Sequence, residues 1–345
     1  MDKPIRDQYV TLAHGSGGKA MRDLVRRLMA GTFDNPLLAP LEDQARIDVG
    51  EELKPGDRLA YTTDSFVVDP IFFPGSDIGE LAVNGTVNDL AVGGARPLYL
   101  SCGLIIEEGL AIDDLTRILK SMKAAADTAG VAIVTGDTKV VHRGKGDKIF
   151  INTSGIGVIP AGLDLSPEHI RPGDRIIVNG TLGDHGVAIL AARGELAIES
   201  PVQSDCQPLH GLVAAMLAHP GAVRCLRDAT RGGLATVLNE FAETAGHTLY
   251  LDEAAIPVRD DVRGMTEILG LDPLYLANEG KLVAVVVGEL ADRVLEAMRA
   301  HPAGANATLI GEVTTADRGR VIMRTAFGGE RIVDLLVSDP LPRIC

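Results

Sequence analysis

Apolar residues recur along this chain in two rhythms, one near 3.6 residues and one near 2, and their alternation predicts a mixed α/β protein. Met21, Leu24, Val25 and Leu28 fall at i, i+3, i+4 and i+7, the spacing of an amphipathic helix. A β-like stretch over 9–12 precedes it, and a glycine-rich turn, His14-Gly15-Ser16-Gly17-Gly18-Lys19, joins the two. Residues 58–68 read as a strand that Pro70 stops. Asp77 and Glu80 stand three apart ahead of a long apolar run, a capping-box pattern with Asp in the cap position. A helix is therefore predicted over 78–92, ended by Gly93-Gly94. A strand over 98–106, a helix presenting Leu115, Ile118, Leu119 and Met122, and strands over 131–135 and 148–158 complete a first half.

Between Pro160 and Pro172 the residues Gly162, Ser166 and Pro167 supply turn chemistry, and a domain boundary is placed there. The mixture then repeats, with helices over 184–193, 209–217 and 234–245 and strands over 248–251, 281–287, 308–313 and 320–324. A chain of 345 residues exceeds one ordinary core. The expected organisation is a domain over 1–160, a second over 172–330, and a tail over 331–345 whose Pro340 and Pro342 exclude a helix.

Composition narrows the function. With 47 acidic against 33 basic residues the net charge is −14, which repels polyanions, and no tryptophan with 3% aromatic residues leaves little to stack on bases. Nucleic-acid binding is excluded on those grounds. No run approaches 18 apolar residues and Met1-Asp2-Lys3-Pro4 carries no apolar leader, so no membrane association is expected and the cytoplasm is the expected compartment. Cys102, Cys206, Cys225 and Cys345 form no CxxC pair and fit neither a disulfide framework nor a zinc site.

Several residues could carry chemistry. The glycine-rich turn fails the P-loop test, because Ala13 stands where glycine is required and Ala20 where the metal-binding hydroxyl is required. It is either a tight helix entry or an anion-binding loop built on the N–H groups of Gly17, Gly18 and Lys19. In the helix over 78–92, Asn84 and Asn88 share a face beside Asp89. Each unpaired buried polar group costs about 2 kcal/mol, so a ligand, a metal or neighbouring backbone must satisfy them. Asp64 and Asp137 end β-like runs and, with Asp89, make a candidate Mg²⁺ cradle shared with substrate phosphates. Lys139 would add charge for a transferring phosphoryl group. Asp228-Ala229-Thr230-Arg231-Gly232-Gly233 is either a capped helix start or a further phosphate or metal contact. Glu279, on a turn ahead of an apolar strand, is a candidate general base.

These stretches together resemble the HypE family of hydrogenase maturation factors, within the AIR-synthase-like superfamily. The resemblance spans essentially the whole chain and rests on His14 to Lys19, Thr63 to Val68, Leu81 to Leu90, Gly136-Asp137-Thr138-Lys139, Asp228 to Leu234, Ala277 to Lys281, and the ending Pro342-Arg343-Ile344-Cys345. The ending is specific to HypE; the middle motifs are shared by the superfamily. The resemblance implies a two-domain AIR-synthase-like fold whose N-terminal domain lends strands to a barrel shared in a homodimer, a C-terminal α/β domain and a flexible tail. It implies further that HypF places a carbamoyl group on the Cys345 thiol, and that ATP with Mg²⁺ drives its dehydration to a thiocyanate. That group would become the cyanide ligand of a [NiFe]-hydrogenase iron by way of HypC–HypD. Asp64, Asp89 and Asp137 would be the Mg²⁺–ATP ligands, Lys139 and Glu279 the catalytic pair, and Cys345 the carrier, with no departure at these positions. A selenophosphate synthetase or small-metabolite kinase of the same superfamily would keep the aspartates and put no weight on Cys345. The lack of any cysteine before Cys102 counts against the former. A non-enzymatic scaffold would turn over no ATP.

Overall fold

Four strands of the first half, Arg58–Phe66, Ile149–Ile159, Arg96–Glu107 and Ala132–Val141, lie side by side in that order. The computed structural model from which this architecture is drawn describes residues 7–42, 44–194, 200–316, 319–335 and 343–345. The first three strands are antiparallel neighbours, while Arg96–Glu107 and Ala132–Val141 run parallel, joined through the helix Ile112–Ala129. A parallel pair needs such a crossover. Together with the helix Ile78–Val92 it covers one face of the sheet. The other face is open and displays Leu59, Tyr61 and Ile105, each roughly half exposed or more.

The helix Ile78–Val92 begins where the capping pattern placed it. Asp77 accepts hydrogen bonds from the N–H groups of Gly79 and Glu80 at 2.8 and 3.1 Å. Glu80 does not close the reciprocal half of a capping box; it accepts from Ser76 Oγ at 2.8 Å. The helix is buried on nearly every side, and its first turns join the core of the first domain while Ala91 and Val92 join a core of the second.

The second half holds a seven-stranded sheet in the order Glu330–Val333, Val321–Arg324, Thr248–Asp252, Thr308–Thr314, Arg175–Val178, Leu282–Val286, Val223–Asp228. Successive side chains of a strand point to opposite faces. Val283 and Val285 accordingly pack with the helix Gly233–Ala245, and Leu282, Ala284 and Val286 with the helices His210–Leu217 and Ala291–Arg299.

Two expectations are corrected. Residues 9–12 form no strand: Tyr9 makes a single bridge to Ala111, and Leu12–Gly15 closes into a 3₁₀ turn held by Thr11 N–H donating to His14 Nδ1 at 3.0 Å. The helix entered at Lys19 runs to Phe33 with a π-helical stretch, Leu24–Met29, in its middle. The expected tail does not begin at 331, because 331–333 belong to the strand Glu330–Val333, and its residues 336–342 lie outside the described residues.

Candidate functional site

Four segments distant in sequence bring residues to one place. The strand Arg58–Phe66 carries Asp64 toward the helix Ile78–Val92, which presents Asp89 one turn from its end. Asp228 arrives at the last position of Val223–Asp228, followed by Thr230 and Arg231, and Glu279 sits on the turn before Leu282–Val286. They line a cavity of about 180 Å³ together with Thr63, Gly85 and Cys345. It opens onto a wider cleft of about 670 Å³ that shares Asp89, Asp228, Thr230 and Arg231 and adds Tyr61, Thr62, Arg227 and Glu240. Arg227 is occupied by an ion pair with Glu240.

Four carboxylates therefore face one guanidinium around the small cavity. Burial raises Asp64, Asp89 and Glu279 above the ordinary carboxylate range, and Asp228 is pushed up to about 7 by burial and then by the Asp89 charge. On Asp89 the hydrogen bond from Thr62 Oγ1, at 3.0 Å, works the other way. On Glu279 the charges of Asp205 and Asp228 add to burial. Glu279 Oε1 and Asn84 Oδ1 are buried with no hydrogen-bond partner. Such a set suits a hard cation, which takes carboxylate and amide oxygens, or a donor carried by a ligand. Among the described residues no three His, Cys, Asp or Glu side chains already stand close enough to hold a metal ion.

The turn that aims Glu279 is itself held from below. Asp205 accepts from the N–H groups of Glu279 and Gly280 at 3.1 and 3.2 Å and from Lys281 Nζ at 2.7 Å, with both charged side chains buried. Burial would raise Asp205, but the Lys281 charge and these bonds outweigh it and hold its carboxyl below the ordinary range. Gly280 is required here, because a Cβ would lie 1.9 Å from the Asp205 carbonyl oxygen.

Cys345 reaches the cavity because the last three residues fold back onto the molecule. Val67 N–H donates to the Cys345 main-chain oxygen at 3.0 Å, Asp69 N–H to Arg343 O at 3.4 Å, and Ile344 is 2% exposed. Burying such a side chain contributes about 1.5–3 kcal/mol and each hydrogen bond about 1 kcal/mol. Ordering three residues costs about 1–2 kcal/mol each in backbone freedom, plus about 2 for an arginine side chain. These terms alone do not favour docking, and the side-chain bonds made by His185, Arg193 and Arg343 tip the balance.

The remaining predicted residues lie elsewhere. Asp137 and Lys139 stand on Ala132–Val141, at the opposite edge of the sheet from Asp64, roughly 14 Å away at about 4.8 Å per strand. They are exposed and paired with each other at 2.7 Å, and the Lys139 hydrogen bond holds Asp137 below the ordinary carboxylate range. The glycine loop keeps them company: Gly15 packs on Val140, where a Cβ would lie 2.8 Å from the Val140 Cβ. Gly17 adopts φ +79°, the left-handed region that favours glycine, and Gly18 caps the helix starting at Lys19. Within one chain, then, Asp64, Asp89, Glu279 and Cys345 come together, while Asp137, Lys139, Gly17, Gly18 and Lys19 do not join them. Asn88 is consumed by backbone: it donates to Gln207 O and Glu279 O and accepts from Leu209 N–H at 2.7 Å, tying the domains. Asn84 donates to Cys206 Sγ at 3.5 Å.

Sequence reasoning missed His185 and Asp205, and left Asp228 open between a capped helix start and a phosphate or metal contact; its place on the cavity favours the second. The helix in fact begins after Gly232, at φ +74°, and Asp228 ends a strand.

Comparison with known proteins finds relatives over the whole chain. Residues 41–159 match the N-terminal domain of AIR synthase related proteins and 171–324 the C-terminal domain. The chain is 56% identical over 341 residues to the carbamoyl dehydratase HypE of Rhodobacter capsulatus, covering 99% of each. It superposes on a crystal structure of the hydrogenase maturation protein HypE in complex with ATP with TM-score 0.91 and 50% identity, covering 97% of this chain and 99% of that one. A HypE–HypF complex structure matches with TM-score 0.78 and 46% identity, covering 91% and 99%. Full-length identity above one half, on a backbone that superposes throughout, places the chain in the HypE family.

Proposed function

We propose that this protein is an ATP-dependent carbamoyl dehydratase that converts a thiocarbamate carried on Cys345 to a thiocyanate, the source of the cyanide ligand for a [NiFe]-hydrogenase iron. The observation that carries the reading is the placement of Cys345 on the cavity wall beside Asp64, Asp89, Asp228 and Glu279. The relatives named carbamoyl dehydratase and the ATP-bound structure support the activity and the nucleotide.

A carbamoyl oxygen is a poor leaving group; ATP, when bound with Mg²⁺, supplies the phosphoryl group that lets it depart as phosphate. One or two of Asp64, Asp89 and Asp228 would hold the cation together with the nucleotide's phosphates, and the wide cleft is of a size for the nucleotide. Both N–H bonds of the carbamoyl nitrogen must break as the C≡N bond forms. Glu279 suits the first of these transfers, because burial raises its proton affinity above that of an ordinary carboxylate and its unpartnered Oε1 is free to accept, while the second proton leaves with the departing phosphate. Asp205 and Lys281 fix the turn that points it.

Asp137 and Lys139 enter the same reading through a homodimer. The sheet ends in two open edges, Arg58–Phe66 and Ala132–Val141, and two such sheets close into an eight-stranded barrel by joining unlike edges across a two-fold axis. That closure sets Asp64 of one protomer within about one strand spacing of the row that holds Asp137. The partners in this reading are HypF, which the chain's match to a HypE–HypF complex structure supports, and HypC–HypD.

The test is the mass of the C-terminal peptide after incubation with carbamoyl donor, HypF and ATP. Wild type should lose one water from the carbamoylated form, Glu279→Gln should accept the carbamoyl group and stall, and Cys345→Ala should show neither change while still binding ATP. A water loss that persists without Cys345 removes the carrier role.

A further inference from the structure

Two residues of the helix Asp184–Arg193 take no part in the cavity, yet both hold the end of the chain. His185 and Arg193 are eight apart, two turns along one helix face. His185 Nε2 lies 2.8 Å from Ile344 O. Arg193 bridges two strands of backbone: its Nε donates to Asp69 O at 3.0 Å and its Nη2 to Arg343 O at 2.8 Å. Opposite them Arg343 donates from Nε and Nη2 to Val67 O at 3.2 and 3.1 Å and forms an ion pair with Asp147. Val67 and Asp69 complete the contact with their N–H groups, as when a peptide adds to a sheet edge.

The bonding around His185 fixes its tautomer. A carbonyl oxygen only accepts, so Nε2 carries a proton. Ser204 Oγ lies 2.8 Å from His185 Nδ1, and burial, which disfavours the charged ring, leaves Nδ1 unprotonated to accept from that hydroxyl. The ring is fully buried and packs edge-on against Phe73 at 5.6 Å, so it cannot turn away. It is a donor held in one direction, aimed at one carbonyl.

We infer that the helix Asp184–Arg193 is the receptor for the chain's own last three residues, with His185 and Arg193 acting as positioning residues that seat the Cys345 thiol on the carboxylate cavity. The inference rests on the reading of Cys345 as carrier for its functional meaning, though not for its test. Arg193 and His185 read main-chain oxygens of the docked end, while Asp147 reads the Arg343 side chain, so recognition is split between shape and one charged residue. An end held by a few such bonds shifts its docked population several-fold when one is lost.

The experiment follows alkylation of the full-length protein by iodoacetamide, without nucleotide or carbamoyl donor, scoring the C-terminal peptide and the Cys206 peptide separately by mass. Docking encloses Cys345 in the cavity, so release speeds its reaction. Arg193→Ala, Arg343→Ala and His185→Leu should each raise the Cys345 rate roughly fivefold, the loss of about one hydrogen bond, with the Cys206 rate unchanged. His185→Gln, which keeps a donor, should stay near wild type. Asp147→Asn combined with Arg343→Ala should add little to Arg343→Ala alone. If His185→Leu does not fold, Arg193→Ala and Arg343→Ala, changes on half-buried or exposed groups, decide the matter. Wild-type Cys345 rates in folded Arg193→Ala and Arg343→Ala overturn the receptor. A protected thiol that never becomes a thiocyanate would leave the receptor standing and remove the carrier role.

Discussion

Replacing Asp228 by Asn should make the metal-free protein more stable at alkaline pH and leave it unchanged in acid. In the folded state the Asp228 carboxyl titrates near 7, against an ordinary value of 3.8, through burial and the neighbouring Asp89 charge. The native state therefore binds more protons than the unfolded state between about pH 4 and 7, and unfolding free energy falls as pH rises through that window. About three pH units at about 1.4 kcal/mol each give an upper bound near 4 kcal/mol. Asp228 keeps part of its surface on the water-filled cleft, so about half of that, roughly 2 kcal/mol, is the expected size. Asn is isosteric and cannot ionise, so the variant should match wild type at about pH 3 and exceed it by roughly 2 kcal/mol at pH 8. Urea unfolding in EDTA at fixed ionic strength, at half-unit steps of pH, measures the difference. A gap that is constant with pH, or one that closes toward pH 8, would refute the electrostatic account of the cavity.

Two further outcomes follow from packing. Asp205→Ala leaves Lys281 buried without its counter-charge and should cost about 3–5 kcal/mol in denaturant unfolding; a cost under 1 kcal/mol would show the pair to be hydrated. Wild type should scatter light as a dimer at micromolar concentration, and Tyr61→Glu, which sets a charge in the open sheet face, should scatter as a monomer. A monomeric wild type would dispose of the shared barrel.

Where local physics decides, the sequence was readable. The helix Ile78–Val92 was legible at both ends because Asp77 caps it and two glycines stop it, and Asp184–Arg193 was legible from its apolar run between glycines. The strand Val223–Asp228 escaped because Arg224 and Arg227 interrupt its alternation and Cys225 and Leu226 are both buried at a sheet edge covered on two sides. The helices Asp260–Leu269 and Ala291–Arg299 bury only a narrow stripe, Val262 with Met265 and Val294 with Met298, too little to stand out among charged neighbours. In the site, Asp64 and Asp137 could be placed at strand ends and grouped with Asp89, and Glu279 placed on a turn ahead of a strand. That Asp137 lies three strands from Asp64 is a matter of sheet order, which pairs residues about ninety apart and leaves no trace in local spacing. His185 and Asp205 were invisible for a related reason: each is a polar residue whose partners, Ile344 and Lys281, lie 159 and 76 positions away.

The helix Ile78–Val92 has one more consequence. Its amides bond along its own axis, its side chains are sealed in the cores of both domains, and Asn88 stitches it to the 207–209 backbone. Neither domain can open alone without stripping solvent cover from this helix. Its backbone amides should therefore exchange with deuterium only through complete unfolding, among the slowest in the molecule, and heat should melt the two domains in a single calorimetric transition.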